Sequence, residues 1–311
     1  MNKNGTLSLE KNERENESAK RNIFTVISDL RSLFKGFVLI ANVLPILTGF
    51  WLALYFTNSS IVDYWGVFLM TMIGGTFIMA GALTLNNWYE VDLDKVMERT
   101  KNRPTVTGHF SMNSVLKIGI FCTVIGFLFI LFTTIEAAIF AFIGWFTYVV
   151  LYTLWSKRKY TLNTMIGAVS GAVTPLIGWT AIEPGFHIVP ITMALIVFFW
   201  QMPHTFSIAM RRYEEYKRAG VAMLPVVYGF EVTKRQIVLY IAFLLPLPFF
   251  LSSLGTVFIG IATLLNIGWL VMGISGFFMN NDVKWANRVF IYSVNYLTIL
   301  FLAMIVVTLI D

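Results

Sequence analysis

The chain has 311 residues, of which 57% are hydrophobic and only 13% are charged, and its formal net charge is +6. Soluble domains carry about 25% charged residues, so this composition excludes a water-soluble globule. It also excludes a disordered chain, because 16% of the residues are aromatic and such side chains do not stay solvated. Since Cys122 is the single cysteine, the chain cannot form an intramolecular disulfide. The sequence therefore predicts a protein whose solvent is lipid.

The N-terminal part divides into two predicted segments. Residues 1–22 are polar and of mixed charge, which is too long and too acidic for the start of a signal peptide, so we expect a solvated cytoplasmic tail. In residues 23–34, apolar side chains recur at helical spacing among polar ones, which predicts an amphipathic helix on the membrane surface. The rest of the chain, 35–311, is predicted to form one membrane domain.

The membrane domain consists of long apolar runs separated by polar breaks. A bilayer core needs about 20 apolar residues of helix for each crossing. The runs predict an all-α, polytopic membrane protein with nine transmembrane helices around a central cavity that opens to the cytoplasmic side. The predicted spans are at approximately residues 35–56, 64–86, 113–134, 137–156, 162–182, 188–211, 236–254, 257–279 and 288–310.

The basic residues are distributed unequally between the two sides of this arrangement. All 23 Lys and Arg residues fall on the side that carries the N-terminus. The positive-inside rule then predicts an integral protein of the cell membrane with a cytoplasmic N-terminus and with Asp311 outside. The net positive charge reflects this topology and attraction to anionic lipid, because no basic domain stands free of the membrane to bind nucleic acid.

An acidic segment follows the second predicted span. If the helix continues, Asn86, Glu90 and Asp94 lie at positions i, i+4 and i+8 on one face. Carboxylate and amide oxygens on one face suit a hard divalent cation such as Mg²⁺, which takes part of its shell from substrate phosphate. Asn87 and Asp92 are further candidate ligands. The alternative interpretation is a charged juxtamembrane helix that is simply solvated by the cytoplasm.

Several cations lie close to this acidic segment in the sequence. Arg99, Lys101 and Arg103 follow it directly and are candidates to hold a diphosphate. Lys157 and Arg158 follow the fourth predicted span, where they either anchor the topology or reach the same cytoplasmic cavity.

The sixth predicted span contains polar side chains within an apolar run. Trp200, Gln201 and His204 lie there, and Pro203 is expected to kink the helix. Polar groups at that depth are costly, so Gln201 and His204 should face a cavity or a partner helix. His204 is therefore either a hydrogen-bonded packing residue or a residue that contacts substrate.

A second charged segment follows the sixth predicted span and, like the first, combines acidic and basic residues. Arg211 and Arg212 are followed closely by Glu214 and Glu215. These four residues are either ordinary surface ion pairs or a second half-site. Two half-sites indicate a shared diphosphate that is bound with more than one metal ion.

The two charged segments resemble the intramembrane polyprenyltransferases. The signature after their second helix is similar to Asn86-Asn87-x-x-Glu90-x-x-x-Asp94, although Glu90 stands where the family usually shows Asp. Within that superfamily the chain is most similar to the protoheme IX farnesyltransferases, or heme O synthases. The further motifs that carry this likeness are Met97–Pro104, Trp200–His204, Ile166–Ala172 and Pro175–Trp179.

The resemblance implies a specific reaction and specific roles. It implies Mg²⁺-dependent transfer of a farnesyl group from farnesyl diphosphate to the vinyl group of heme B, with heme B as a substrate and not as a resident cofactor. The acidic residues of both segments would be catalytic, and Trp200, Gln201 and His204 would lie on the heme side. A downstream heme A synthase is the implied partner.

Three rivals remain at this point. In a secondary transporter, Asn86, Asp94 and His204 would line a solute path, but such sites tend to lie near the bilayer midplane and these carboxylates lie at the cytoplasmic end. A nearer rival is a polyprenyltransferase that acts on a quinone precursor or another aromatic. A purely structural membrane subunit would explain the spans but would leave the two acidic segments without a role.

Overall fold

The computed structural model describes residues 23–310, and every regular element in that range is helical. The α-helices are α1 Ile23–Leu33, α2 Gly36–Phe56, α3 Trp65–Tyr89, α4 Val91–Val96, α5 Pro104–Thr107, α6 Met112–Leu131, α7 Ile135–Phe146, α8 Asn163–Ala172, α9 Thr174–Thr180, α10 Ile188–Arg211, α11 Tyr213–Arg218, α12 Leu224–Leu244, α13 Gly255–Ser275 and α14 Asp282–Ile310. A π-helix, Thr147–Ser156, extends α7, and a 3₁₀-helix, Leu247–Leu254, precedes α13.

Two of the sequence predictions concern the ends of the chain. The predicted tail, residues 1–22, and the predicted external Asp311 lie outside the described residues. The predicted amphipathic segment is helical as α1, and its position on a membrane surface stays a prediction.

Seven helical segments of the described chain are long and apolar enough to cross a membrane. The predicted count of nine is therefore not confirmed by helix length and composition. One of the seven, Leu224–Ser275, is 52 residues long and contains both α12 and α13. The predicted fifth span, 162–182, consists of the two shorter helices α8 and α9.

The interruption of the fifth span has a local cause. Pro175 lacks a backbone N–H and is therefore tolerated in the first turn of α9 but not in the interior of a continuous helix. Residues 171–180 are all buried. Irregular backbone is acceptable at membrane depth only where protein covers it, so this burial keeps the interruption away from lipid.

The interrupted span packs closely against α2 through glycines. A Cβ atom added to Gly49 would collide with the carbonyl oxygen of Pro175, and one added to Gly178 would collide with that of Ile46. Small residues allow such backbone contact between membrane helices.

The remaining helices are arranged around α10. It packs against α8, α12 and α14, while α2 packs against α9 and α14 and α3 pairs with α6. The main core includes Trp179, Met202, Phe206, Trp269 and Trp285, all buried. This arrangement brings the C-terminal ends of α3, of the π-helix and of α10 into one region.

Candidate active site

The first acidic segment turns at Glu90, between α3 and α4. The Glu90 N–H donates to the Asn86 carbonyl at 3.0 Å and the Asp94 N–H to the Glu90 carbonyl at 2.9 Å, so helical register continues through the bend. Asn86, Glu90 and Asp94 therefore share one face, and all three side chains are buried. Buried carboxylates are costly unless they are paired, so their partners define the site.

Asp94 is held by Arg103. An Nη1 of Arg103 lies 2.5 Å from Asp94 Oδ2 and also donates to the Asn87 side-chain oxygen at 2.9 Å. The Asn87 amide nitrogen donates in turn to the Leu33 carbonyl at 2.7 Å. These bonds fix the loop after α4 to the end of α1 and occupy both polar atoms of Asn87.

Glu90 is held by Lys157, which follows the π-helix. Lys157 Nζ lies 2.5 Å from Glu90 Oε2 and above the ring of Tyr152, 5.4 Å from its centroid. Asn86 accepts a hydrogen bond from Lys35 and donates to the Thr153 hydroxyl at 3.0 Å. Lys35 was not predicted as a site residue; its position at the start of the first apolar run was the available signal.

The electrostatics follow from burial and from these neighbours. Burial opposes ionisation of Glu90, but Lys157 and Lys35 outweigh it and lower the pKa of Glu90. Burial likewise opposes the charge on Lys157, yet Glu90 raises the pKa of Lys157 above its usual value. Burial and the nearby Arg103 hold the pKa of Lys35 well below its usual range. Three basic side chains thus surround two carboxylates, an environment that favours an incoming anion.

The buried cluster also fits a divalent cation. Glu90 Oε1 is buried and has no hydrogen-bond partner, and the face it shares with Asn86 and Asp94 presents hard oxygen atoms. No group of three or more His, Cys, Asp or Glu side chains in residues 23–310 is arranged to hold a metal. A metal site here would therefore combine the few protein oxygens with oxygens of a bound phosphate, as Mg²⁺ commonly does.

Other predicted residues of the first segment lie outside the cluster. Asp92 is mostly exposed and pairs with Arg158, whose two N–H groups donate to it at 2.7 Å each. Lys101 pairs with Glu98 at 2.6 Å on the surface. Arg99 is exposed. The structure does not bring these four predicted residues against Glu90 or Asp94.

The second charged segment is packed beside the first but is more open. Leu93 and Met97 of the first segment pack against Ala209, Val221 and Met223 around the second. Arg212 and Glu215 form an ion pair at 2.8 Å, and Glu214 is exposed. Both glutamates line a surface groove of about 610 Å³ together with Arg211, Arg212 and Arg218.

The three predicted heme-side residues divide between two neighbouring helices. Trp200 and His204 face α14, where Trp200 donates to the Ser293 carbonyl at 2.7 Å and His204 Nδ1 lies 2.8 Å from the Ser293 hydroxyl oxygen. The Gln201 amide lies against Gly171 of α8, so closely that a Cβ at this position would displace the Gln201 side chain.

An apolar cavity of about 100 Å³ lies among α2, α3, α7, α8 and α9. Tyr148 of the π-helix lines it, one turn before Tyr152 and two turns before the Lys157 that binds Glu90. Ile78, Met79 and Trp145 form other parts of its wall. The cavity therefore places aromatic and aliphatic surface within about two helical turns of the charged cluster.

Comparison with known proteins agrees with this geometry. The UbiA prenyltransferase family model matches residues 42–294. The protoheme IX farnesyltransferase of Oceanobacillus iheyensis is 55% identical over 293 residues, which cover 94% of this chain and 93% of that protein. The resemblance predicted from the two charged segments is thereby confirmed.

Solved structures share the fold. The structure of a digeranylgeranylglyceryl phosphate synthase matches with a TM-score of 0.73 at 19% identity, covering 92% of this chain and 99% of that one. A UbiA homologue from Archaeoglobus fulgidus bound to GPP and Mg²⁺ matches with a TM-score of 0.65 at 17% identity, covering 89% and 99%. The chain is an integral, multi-pass membrane protein that belongs to the UbiA prenyltransferase family, among the protoheme IX farnesyltransferases.

Proposed function

We propose that this protein transfers the farnesyl group of farnesyl diphosphate to the vinyl group of heme B, which yields heme O and diphosphate. The close relative named above supports the two substrates. The observation that carries the proposal is the buried cluster of Glu90 and Asp94 with Lys35, Arg103 and Lys157, next to an apolar cavity. It offers one environment for a diphosphate and another for a prenyl chain.

The basic side chains of the cluster stabilise the leaving group. When the bond between farnesyl C1 and oxygen breaks, its electron pair goes to the diphosphate, and negative charge grows where Lys157 and Arg103 lie and where the anion itself favours the charged form of Lys35. Fixed charges in a site that excludes water act strongly on such a transition state. Asn86, Glu90 and Asp94 would hold Mg²⁺, which would neutralise further charge on the diphosphate. The Archaeoglobus homologue with GPP and Mg²⁺ supports this ion.

The aromatic side chains of the cavity can stabilise the farnesyl cation that forms when diphosphate leaves. The farnesyl cation forms a carbon–carbon bond with the terminal vinyl carbon, and the positive charge moves to the carbon next to the porphyrin. Water adds there and loses a proton, which gives the hydroxyethylfarnesyl group. The rings of Tyr148 and Trp145 line the cavity, and ring faces stabilise a nearby cation by about 0.5–2 kcal/mol.

In this proposal the second charged segment binds the same diphosphate as the first. Glu214 and Glu215, with Arg211 and Arg212, form the other half-site for the diphosphate and a further metal ion. The packing of Leu93 and Met97 against residues of the second segment supports a shared site. Arg99, Lys101 and Arg158 lie at its edge, where they attract the anionic substrate over a longer range, while Asp92 pairs with Arg158.

We also propose that the chain crosses the cell membrane nine times. Leu224–Ser275 would make two crossings, and α8 with α9 would make one together. The N-terminus and both charged segments would then face the cytoplasm, as the positive-inside rule predicts. Transfer of the product to a heme A synthase stays a prediction.

Cysteine labelling tests this topology. The native Cys122 is buried, which keeps the background low. In intact cells, an impermeant thiol reagent should label Phe186→Cys but neither Lys159→Cys nor Asn102→Cys, all of which replace exposed side chains. Labelling of both Phe186→Cys and Lys159→Cys would contradict a crossing by α8 and α9, and the reverse pattern would place the active site outside.

The reaction is tested with purified protein in detergent. Heme B, farnesyl diphosphate and Mg²⁺ are supplied, and mass spectrometry should detect heme gaining a farnesyl group and one water. A quinone precursor in place of heme serves as the competing acceptor, and omission of Mg²⁺ with added chelator tests the metal. Prenylation of the quinone precursor with no product from heme would contradict the proposal.

A further inference from the structure

The apolar cavity and the buried charged cluster lie along one face of α3. Five residues of α3 line the cavity at spacings of three and four, namely Gly75, Ile78, Met79, Ala82 and Leu83. The same spacing leads on to Asn86 and Glu90 in the cluster. A prenyl chain whose diphosphate is bound at the cluster can therefore extend along this face into the cavity.

The length of this face matches three isoprene units. Asn86 follows Gly75 by 11 residues, which is about 16 Å along the helix. An extended chain advances about 1.2 Å for each bond, so a farnesyl group with its bonds to phosphorus, about 13 bonds, spans about 16 Å. A further isoprene unit would add about 5 Å, close to one helical turn. Gly75 therefore lies at the depth that the last carbon atoms of a farnesyl chain reach.

Ile46 of α2 closes the cavity at this depth. Val38 and Asn42 line the cavity, and Ile46 is the next residue on the same face of α2 and is 1% exposed. A Cβ atom added to Gly75 would lie 2.7 Å from Ile46 Cδ1. Apart from the adjacent residues and backbone of α3, no other atom of residues 23–310 lies within 4 Å of it. The backbone of Gly75 and the end of the Ile46 side chain thus face each other and form a floor.

Packed side chains lie beyond this floor. One buried hydrophobic cluster contains both cavity-lining and deeper residues, namely Ile78, Ile130, Ala137, Ala138, Ala141 and Ile177. Ala137 lies one turn beyond Ala141 and has no exposed surface. The backbone of Ile46 is also fixed, because its carbonyl oxygen lies against Gly178. A longer chain would have to displace close-packed atoms, which protein interiors resist.

We propose that Gly75 and Ile46 determine the length of the prenyl donor, because the floor they form admits three isoprene units and stops a fourth. The inference rests on the proposed function and names the residues that select farnesyl diphosphate over its shorter and longer homologues. Both residues contact the far end of the chain and not the reacting carbon, so they leave the chemistry of transfer unchanged. A shorter chain leaves the apolar floor without contact, and a longer chain cannot enter in full.

The test is a competition among three donors that differ by one isoprene unit each. The full-length protein in detergent receives heme B, Mg²⁺ and equal concentrations of geranyl, farnesyl and geranylgeranyl diphosphate. Mass spectrometry then measures the ratios of the three prenylated hemes. Because each ratio compares products within one sample, a partial loss of folded protein does not alter it. The wild type should form mainly the farnesyl product.

Two substitutions move the floor in opposite directions. Gly75→Val raises it and should increase the ratio of geranyl to farnesyl product at least about tenfold, since one methylene in a hydrophobic pocket changes discrimination about 10–200-fold. Ile46→Ala lowers it and should increase the ratio of geranylgeranyl to farnesyl product by a similar factor. The double variant should return towards the wild-type ratios, because removal of the Ile46 side chain makes room for the one that is added.

The same two helices provide matched controls, Gly66→Val in α3 and Ile40→Ala in α2. A Cβ atom added to Gly66 would have no neighbour within 4 Å among residues 23–310, apart from the adjacent residues and backbone of α3. Ile40 is 71% exposed. Both controls should keep the product ratios of the wild type.

The outcomes separate this inference from the proposed function. Unchanged ratios in both Gly75→Val and Ile46→Ala, with farnesylated heme still formed, would overturn the inference and leave the proposed function intact. Lower yields of all products at constant ratios would do the same, because a purely structural role predicts that result. No prenylated heme from any donor in the folded wild type would overturn the proposed function itself. If Gly75→Val does not fold, Gly75→Ala decides by the same ratio, because its one methyl group displaces only the end of the Ile46 side chain.

Discussion

The two charged segments have the same residue types and differ in burial. In the first, Glu90 and Asp94 are buried, and each has a basic nitrogen at 2.5 Å. In the second, Glu214 is exposed, and Glu215, although itself buried, pairs with an Arg212 side chain that is 40% exposed. The first segment is covered by residues from three other parts of the chain, whereas the second borders an open groove. Acidic residues in similar sequence contexts thus become a rigid ion cluster in one case and a solvated edge in the other.

The largest expected effect comes from Glu90→Gln. The substitution keeps the shape but removes the charge that holds Lys157 and the only buried carboxylate oxygen of the cluster without a partner. We expect kcat to fall about 10²–10³-fold, the size seen when one preorganised electrostatic contact of a transition state is lost. Single-turnover farnesyl transfer measures this.

Glu98→Gln is the matched control, since Glu98 lies on the same loop and is exposed. Its turnover should match the wild type. Equal losses in Glu90→Gln and Glu98→Gln would mean that burial does not distinguish functional carboxylates on this loop.

Arg103→Leu should cause the second largest effect, on stability. It leaves Asp94 buried without its cation and leaves the Asn87 side-chain oxygen without its donor. Breaking a buried pair in this way costs about 3 kcal/mol or more of unfolding free energy. Thermal unfolding in detergent should show a clear decrease in Tm. If Asp94→Asn in the same chain restores the Tm, the uncompensated carboxylate is the cause.

Glu215→Gln should have a smaller effect on turnover. The Arg212–Glu215 pair is partly solvated, and such pairs contribute at most about 1 kcal/mol, which corresponds to about a fivefold change in rate. The same assay as for Glu90→Gln gives the comparison directly. A loss as large as that of Glu90→Gln would show that the two segments are equivalent half-sites despite their different burial.

Arg158→Leu should have the smallest effect. Its bidentate pair with Asp92 lies on the surface, so we expect less than about 1 kcal/mol of unfolding free energy and screening by salt. The Tm of this variant at low and high salt is compared with that of Arg103→Leu. The comparison tests whether the burial of an ion pair or its number of hydrogen bonds determines its contribution to stability. A larger decrease for Arg158→Leu than for Arg103→Leu would reverse that conclusion.

Helical spacing predicted part of the site from sequence. Asn86, Glu90 and Asp94 are four residues apart, so local geometry alone places them on one face. Their partners depend on tertiary contacts: Lys157 is 67 residues from Glu90, and Lys35 is 51 residues from Asn86. Spacing along one segment contains no information about such distant pairs, and Lys35 was therefore missed.

The predicted spans show a similar limit. Hydropathy located most of the apolar runs but started the seventh span at residue 236, whereas α12 begins at Leu224, and it treated residues 162–182 as one uniform helix. Average hydropathy contains no information about Pro175, which lies in the first turn of a new helix. It also contains none about the close backbone contact between Pro175 and Gly49. For His204, sequence placed the side chain at membrane depth, while its partner Ser293 is 89 residues away and became visible only in the fold.

The hydrogen bond between Trp51 and Thr308 joins residues that are 257 positions apart. During synthesis, α2 enters the membrane long before α14 exists, so its indole N–H has no acceptor from that helix until the ribosome has nearly finished. Because α14 packs against α2, the bundle is complete only after α14 has been synthesised. Chains that terminate before α14 therefore leave α2 without the helix that packs against this flank in the finished bundle.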